Sequence, residues 1–339
     1  TRSLKTLLLH KNRRNFQRWS GFFLSFAGNL CYTENRKFPK EEKDDMKRNM
    51  KRWIQEMIAA DVKTPMPVLS FPAVQLMGVS VRELISDEGL QAEGMRRVAE
   101  RVRSAAAVSL MDLSVEAECF GAQVRVSDDE VPTVVGCTVA DAEAAEALQI
   151  PEVGAGRTGL YVEAIRRACE TIADRPVLAG VIGPYSLAGR LMDVTEIMYA
   201  CYDDPDTVHM VLDKVTAFLI RYCEAYRDAG ANGVLMAEPL AGLLSPDLAE
   251  EFSCTYVKKI VDAVQTDDFV VVYHNCGNAV NRMIPEILST GCVAYHFGNA
   301  IDLRDVLPQI PADRVCMGNV DPAGQFRHGT PESIREVTL

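Results

Sequence analysis

The sequence has 339 residues, 48% of them hydrophobic and 24% charged, with a formal net charge of −11. No apolar run approaches the roughly 18 residues that span a bilayer. An acidic balance also excludes nucleic acid or an anionic membrane as the main partner, because phosphate binding needs a basic footprint. Ten cysteines in no paired framework exclude a disulfide scaffold and predict reduced thiols in a soluble, cytoplasmic protein.

The charge is uneven along the chain. The first 52 residues carry 14 Lys/Arg against 5 Asp/Glu, which leaves the remainder at about −20. Basic clusters (Lys11, Arg13, Arg14, Arg18) and an aromatic patch around Phe22 and Phe23 mark this opening stretch. We read residues 1–49 as a basic extension outside the domain proper, and residues 50–339 as one domain.

From Met50 onward, apolar β-branched runs alternate with helix-period stretches. Strands are expected at Pro65–Phe71, Ala107–Leu113, Pro176–Gly183, Gly233–Glu238, Phe269–His274, Cys292–Phe297 and Arg314–Asn319. A hairpin inserted after the second of these is expected from Gln123–Val126 and Thr133–Cys137. Helical periodicity is clearest over Asp206–Ala229 and Pro246–Val264, and a last helix over Thr330–Leu339. Near-continuous apolar strands separated by helices predict a parallel sheet covered on both faces. Seven such units, with no glycine-rich phosphate fingerprint behind any strand, predict a TIM (β/α)8 barrel cut short before its eighth strand.

In a barrel of this kind the working residues sit at the C-terminal ends of the strands. Those ends carry Asp112 with Glu118, Ser186, Glu238, His274 with Cys276, His296 with Asn299, and Asn319 with Asp321. Only five histidines exist in the chain, and two of them fall on consecutive strand ends. In His274-x-Cys276, residues two apart on an extended segment face one side, so imidazole and thiolate can converge on a metal such as zinc. The same pair also suits a buried thiol beside a core histidine. Candidates for a third ligand are Glu238, His296 and Cys316. Asp112 and Glu118 have two open roles, acid–base work or capping the next helix. Arg157 and Arg190, in glycine-flanked loops, could meet a phosphate, but solvated arginines are the commoner case.

From about Met50 to the end, the order of these motifs resembles the uroporphyrinogen decarboxylase superfamily. The resemblance rests on Met111-Asp112 through Gly121, Gly183-Pro184-Tyr185-Ser186, Glu238-Pro239, Tyr273-His274-Asn275-Cys276-Gly277, Tyr295-His296-Phe297-Gly298-Asn299 and Gly318-Asn319-Val320-Asp321-Pro322. It is closest to the branch of methylcobamide:coenzyme M methyltransferases and related corrinoid-dependent enzymes. That branch implies zinc held by His274, Cys276 and a later cysteine expected beyond the end of this chain, with Glu238 or His296 as substitutes. It implies methyl transfer from a corrinoid carried by a partner protein to a thiol or tetrahydrofolate acceptor. Roles follow for Glu238, Asp112 and Asn319 in catalysis, and for Ser186, His296, Asn299 and Asp321 in cofactor binding.

Two alternatives stand beside it. A uroporphyrinogen decarboxylase needs arginines for a substrate with eight carboxylates, and the stretch Ser70–Gly78 has none. A non-catalytic corrinoid- or tetrapyrrole-binding barrel would keep the fold and dispense with zinc.

Overall fold

The computed structural model describes residues 48–318 and 320–338. Its centre is a curled sheet of six parallel strands: β1 (Ala107–Val108), β4 (Val177–Ile182), β5 (Gly233–Ala237), β6 (Val270–Asn275), β7 (Ala294–Phe297) and β8 (Val315–Met317), paired in that order. A separate antiparallel hairpin joins β2 (Gln123–Arg125) to β3 (Thr133–Val135), as the sequence predicts. Helices separate the parallel strands, so the architecture is a half-barrel of the TIM type. The longest helix, Pro205–Asp228, starts on a proline at its first turn and is capped by Asp204, whose carboxylate accepts from Thr207 N at 3.3 Å.

The two faces of the sheet bury different sets of residues. Leu178, Leu235, Val270, Val272 and Ala294 point into the barrel, where the helix Met50–Ala59 closes the lower end with Met50 and Ile54. Val177, Ala179, Val234, Met236, Val271, Tyr273 and Tyr295 point outward under the helices. Strand pairing sets the inward residues in rows. Gly180, Leu235, Val272, Ala294 and Val315 form one; Ile182, Ala237, His274, His296 and Met317 form the next one up. Both histidines therefore stand at the open end, above an apolar floor.

Several expectations are corrected. Pro65–Phe71 is not a laddered strand: it runs alongside β1 with one backbone bond, Ala105 N to Pro65 O at 2.9 Å, and turns at Ser70. Pro65 and Pro67 lack the amides that a ladder needs. Of the eight parallel strands of a full barrel, six are present among the described residues. The expected helix Pro246–Val264 is interrupted by a π-helical turn at Glu250–Cys254. Residues 1–47 and Asn319, both the subject of expectations above, lie outside the described residues. Asn49 caps the first described helix, its side chain accepting from Arg52 N at 2.7 Å.

Candidate active site

The ends of β6 and β7 bring His274 and His296 together, and Cys276 follows in the turn after β6. His274 and His296 are register partners, their rings 4.7 Å apart and tilted by 34°. His274 Nδ1 lies 3.2 Å from the His296 carbonyl oxygen, to which it donates, so its Nε2 lone pair is left for another partner. Burial holds His274 below the usual imidazole pKa, against the opposing effect of that carbonyl. His296 is pushed down to about 3, by burial first and then by His274. Both rings are thus neutral at pH 7. The buried Nδ1 of His296 has no hydrogen-bond partner.

Cys276 follows on the turn beyond β6 and is exposed. Shielding of its sulfur raises the thiol above its ordinary pKa, so without a nearby cation it stays protonated at neutral pH. Two features fix the turn. Asn275, wholly buried, accepts from Gly277 N at 2.9 Å and donates to the Tyr273 hydroxyl at 3.1 Å. Gly298 passes so close that a Cβ there would stand 2.7 Å from the Cys276 Cα.

A third ligand is not supplied nearby. Among the described residues no group of three His, Cys, Asp or Glu side chains is placed to hold a metal ion. Glu238 is wholly buried and both its oxygens are taken by the first amides of the helix Pro184–Met192: Tyr185 N at 3.0 Å and Ser186 N at 2.6 Å. Burial raises this carboxyl to about 7 in spite of those bonds. Cys316 stands in β8 at a position paired with Tyr295, on the opposite parity to His296. Ser186 is spent within the same helix start, its hydroxyl accepting from Leu240 N at 3.1 Å. Asn299 is exposed in the turn after β7, and the Asp321 carbonyl accepts from Gln325 N and Phe326 N in the turn that follows β8.

Asp112 sits elsewhere, after β1, and is already saturated. One oxygen accepts from the Ser114 amide and hydroxyl at 3.1 and 2.6 Å. The other accepts from Arg157 Nη1 at 2.6 Å and the Tyr161 hydroxyl at 2.8 Å. Arg157 also donates to Glu118 at 2.6 Å, so the arginine read as solvated is a structural clasp. Only its i,i+4 spacing to Tyr161 at the start of the helix Thr158–Thr171 hinted at a shared target. Glu116 was missed as well: it is buried, accepts from Ile182 N at 3.0 Å, and burial lifts it to about 7. Arg190 is likewise withdrawn from solvent, its buried Nε without a partner, and burial lowers its pKa.

With this geometry in place, comparison with known proteins is informative. The profile of the uroporphyrinogen decarboxylase (URO-D) family matches residues 66–339. The chain belongs to the uroporphyrinogen decarboxylase family. Methylcobamide:CoM methyltransferase MtbA of Methanosarcina acetivorans is 29% identical over 232 residues, covering 67% of each chain. Uroporphyrinogen decarboxylase of Chlorobium luteolum is 30% identical over 250 residues, covering 68% of this chain and 66% of its own. Among solved structures, a methyltransferase from Methanosarcina mazei superposes with a TM-score of 0.76 at 23% identity, over 85% of this chain and 88% of that one. That likeness establishes the fold. The family thus holds relatives of both named activities, and the choice between them falls to the strand ends. No described helix is long and apolar enough to cross a membrane.

Proposed function

We propose that this member of the family is a zinc-dependent methyltransferase, moving a methyl group from a methylated corrinoid on a partner protein to a thiol or tetrahydrofolate acceptor. The observation that carries the proposal is His274 on the inward row at the open end of β6, its Nδ1 already committed to a carbonyl, with the exposed Cys276 two residues on in the turn. A neutral imidazole with a free Nε2 beside an exposed thiol is the donor chemistry that zinc takes. The described residues provide two of these ligands, so the reading requires a further donor from outside them. Zinc bound there would supply the Lewis acidity that keeps an acceptor thiol deprotonated at neutral pH.

The residues of this chain have their own tasks. The His296 carbonyl holds the His274 ring in one orientation and one tautomer. Asn275 and Gly298 fix the turn that carries Cys276. The row beneath, with Val272 and Ala294, keeps the floor apolar and bars water from below. The open end above is left for the methyl donor and the acceptor.

The decarboxylase reading is less well supported. A cleft for a polycarboxylate needs free guanidinium groups, and of Arg82, Arg97, Arg157 and Arg190 only the last keeps a buried nitrogen without a partner. Arg82 pairs with Asp128 at 2.8 Å, Arg97 with Glu93 at 2.6 Å, and Arg157 with two carboxylates. The test is zinc content by elemental analysis, together with methyl transfer from methylcobalamin to a thiol. About one zinc per chain, lost in Cys276→Ala together with transfer, is the expected result. A zinc-free wild-type protein that releases carbon dioxide from a porphyrinogen would overturn it.

A further inference from the structure

The opposite pole of the barrel contains a cavity of about 210 Å3, between the lower ends of the helices Thr158–Thr171 and Pro205–Asp228 and the starts of β4 and β5. Three arginines line it, Arg48, Arg175 and Arg227, against one acidic residue, Asp268. In a chain with net charge −11, the lining alone is net positive, while Asp174 and Glu224 outside it pair with Arg175 and Arg227. Helix C-terminal ends carry partial negative charge, and part of the cluster answers to that. Arg48 donates to Ala173 O at 2.9 Å, and Arg175 to Val102 O at 2.7 Å and to Asp174.

Arg227 has no such employment. Its side chain is 26% exposed and its sole ion pair is a loose one, 3.5 Å to Glu224. It makes no hydrogen bond among the described residues, and it lines the cavity with donors that no protein acceptor takes. Asn232 adds to this. Its Oδ1 accepts from Val177 N at 3.0 Å, while its Nδ2 donates to nothing among the described residues. Donors without a protein partner and an arginine-rich lining around a partly open space suit an oxyanion. A doubly charged tetrahedral group matches two guanidinium forks better than a single carboxylate does. At about 30 Å3 per water, the volume also leaves room for a small organic body attached to that group.

We propose that this lower cavity binds a phosphate group, free or as a small phosphomonoester, held chiefly by Arg227 with Arg48 and Asn232. The site is independent of the reaction at the upper end and acts on stability by mass action.

Isothermal titration calorimetry on the full chain at low salt tests this, with inorganic phosphate and glycerol 3-phosphate as probes and glycerol and succinate as controls. We expect saturable one-to-one binding with Kd at or below about 1 mM, at least tenfold weaker in Arg227→Gln and partly kept in Arg227→Lys. Tighter binding of the ester would assign the site to a phosphorylated metabolite, and equal binding to free phosphate. Phosphate should also raise Tm of the wild type but not of Arg227→Gln, a difference that a purely structural role for Arg227 would not produce. No binding by the wild type, unchanged binding in Arg227→Gln, or succinate binding as tight as phosphate would each overturn the proposal.

Discussion

Two strand ends of the same sheet look alike in sequence and differ in what they leave free. The end of β1 gathers Asp112, Glu118, Arg157 and Tyr161, and every one of those groups is consumed by another. The ends of β6 and β7 gather His274, His296 and Cys276, with one imidazole nitrogen uncommitted, one buried nitrogen unpartnered and one thiol exposed. A saturated cluster resists change and holds the fold, whereas an unsaturated one of neutral donors awaits a ligand. Under the proposed function the difference puts the chemistry at β6 and β7, and it can be broken or sharpened experimentally.

The largest effect should come from removing the open donors. His274→Ala and Cys276→Ala should each lower methyl transfer by at least about a hundredfold, since a lost ligand costs no less than the 10- to 100-fold typical of the groups behind one. The urea midpoint should shift little in Cys276→Ala, whose side chain is exposed, whereas His274→Ala also loses the bond to the His296 carbonyl and should cost about 1 kcal/mol. An equal loss of activity in Arg157→Ala, with stability unchanged, would reverse the assignment of the two ends.

Arg157→Ala should instead act on stability. It strips a buried carboxylate of its counter-charge, a change worth roughly 3–5 kcal/mol in comparable buried pairs. Urea denaturation measures the loss, and zinc content should be untouched. Tyr161→Phe removes one hydrogen bond to the same oxygen and should cost about 1–3 kcal/mol.

Glu116 belongs to neither set fully, and its titration exposes that. Its folded pKa of about 7 lies above the ordinary glutamate value of 4.5, so the folded protein binds more protons than the unfolded chain between those values. Its contribution to stability therefore falls as pH rises from about 4.5 to 7 and is constant above that. In Glu116→Gln the neutral side chain still accepts from Ile182 N. Relative to wild type it should gain on the order of 2–3 kcal/mol between pH 4.5 and 8. A difference between the two proteins that does not vary with pH would show Glu116 to be ionised throughout.

Much of this was legible in the sequence. Alternation of apolar runs with helix-period stretches gave the parallel sheet, and Gln123–Val126 with Thr133–Cys137 gave the hairpin. His274 and His296 announced themselves because consecutive strand ends rarely both carry imidazoles in a chain with so few. Glu238 shows the limit. A carboxylate at a strand end reads as chemistry, but its two oxygens cap a helix that begins more than fifty residues earlier, a contact that no local pattern encodes. The same holds for Asp112 and Arg157, which are 45 residues apart. The Pro65–Phe71 strand failed for a local reason, prolines whose missing amides outweigh an apolar pattern.

The smallest predicted effect is the control on the buried clasp. Lys258 and Asp262 lie one helical turn apart at 2.8 Å, with side chains 52% and 59% exposed. Their charges match those of Arg157 and Asp112 in sign and nearly in distance, but water competes for both and salt screens them. Lys258→Ala should cost no more than about 0.5 kcal/mol, and that small cost should vanish in 1 M salt. Arg157→Ala should keep most of its cost in the same salt, because Asp112 has no water to turn to. If the two substitutions respond equally to salt, the carboxylate after β1 is solvated, and the contrast between the two strand ends falls with it.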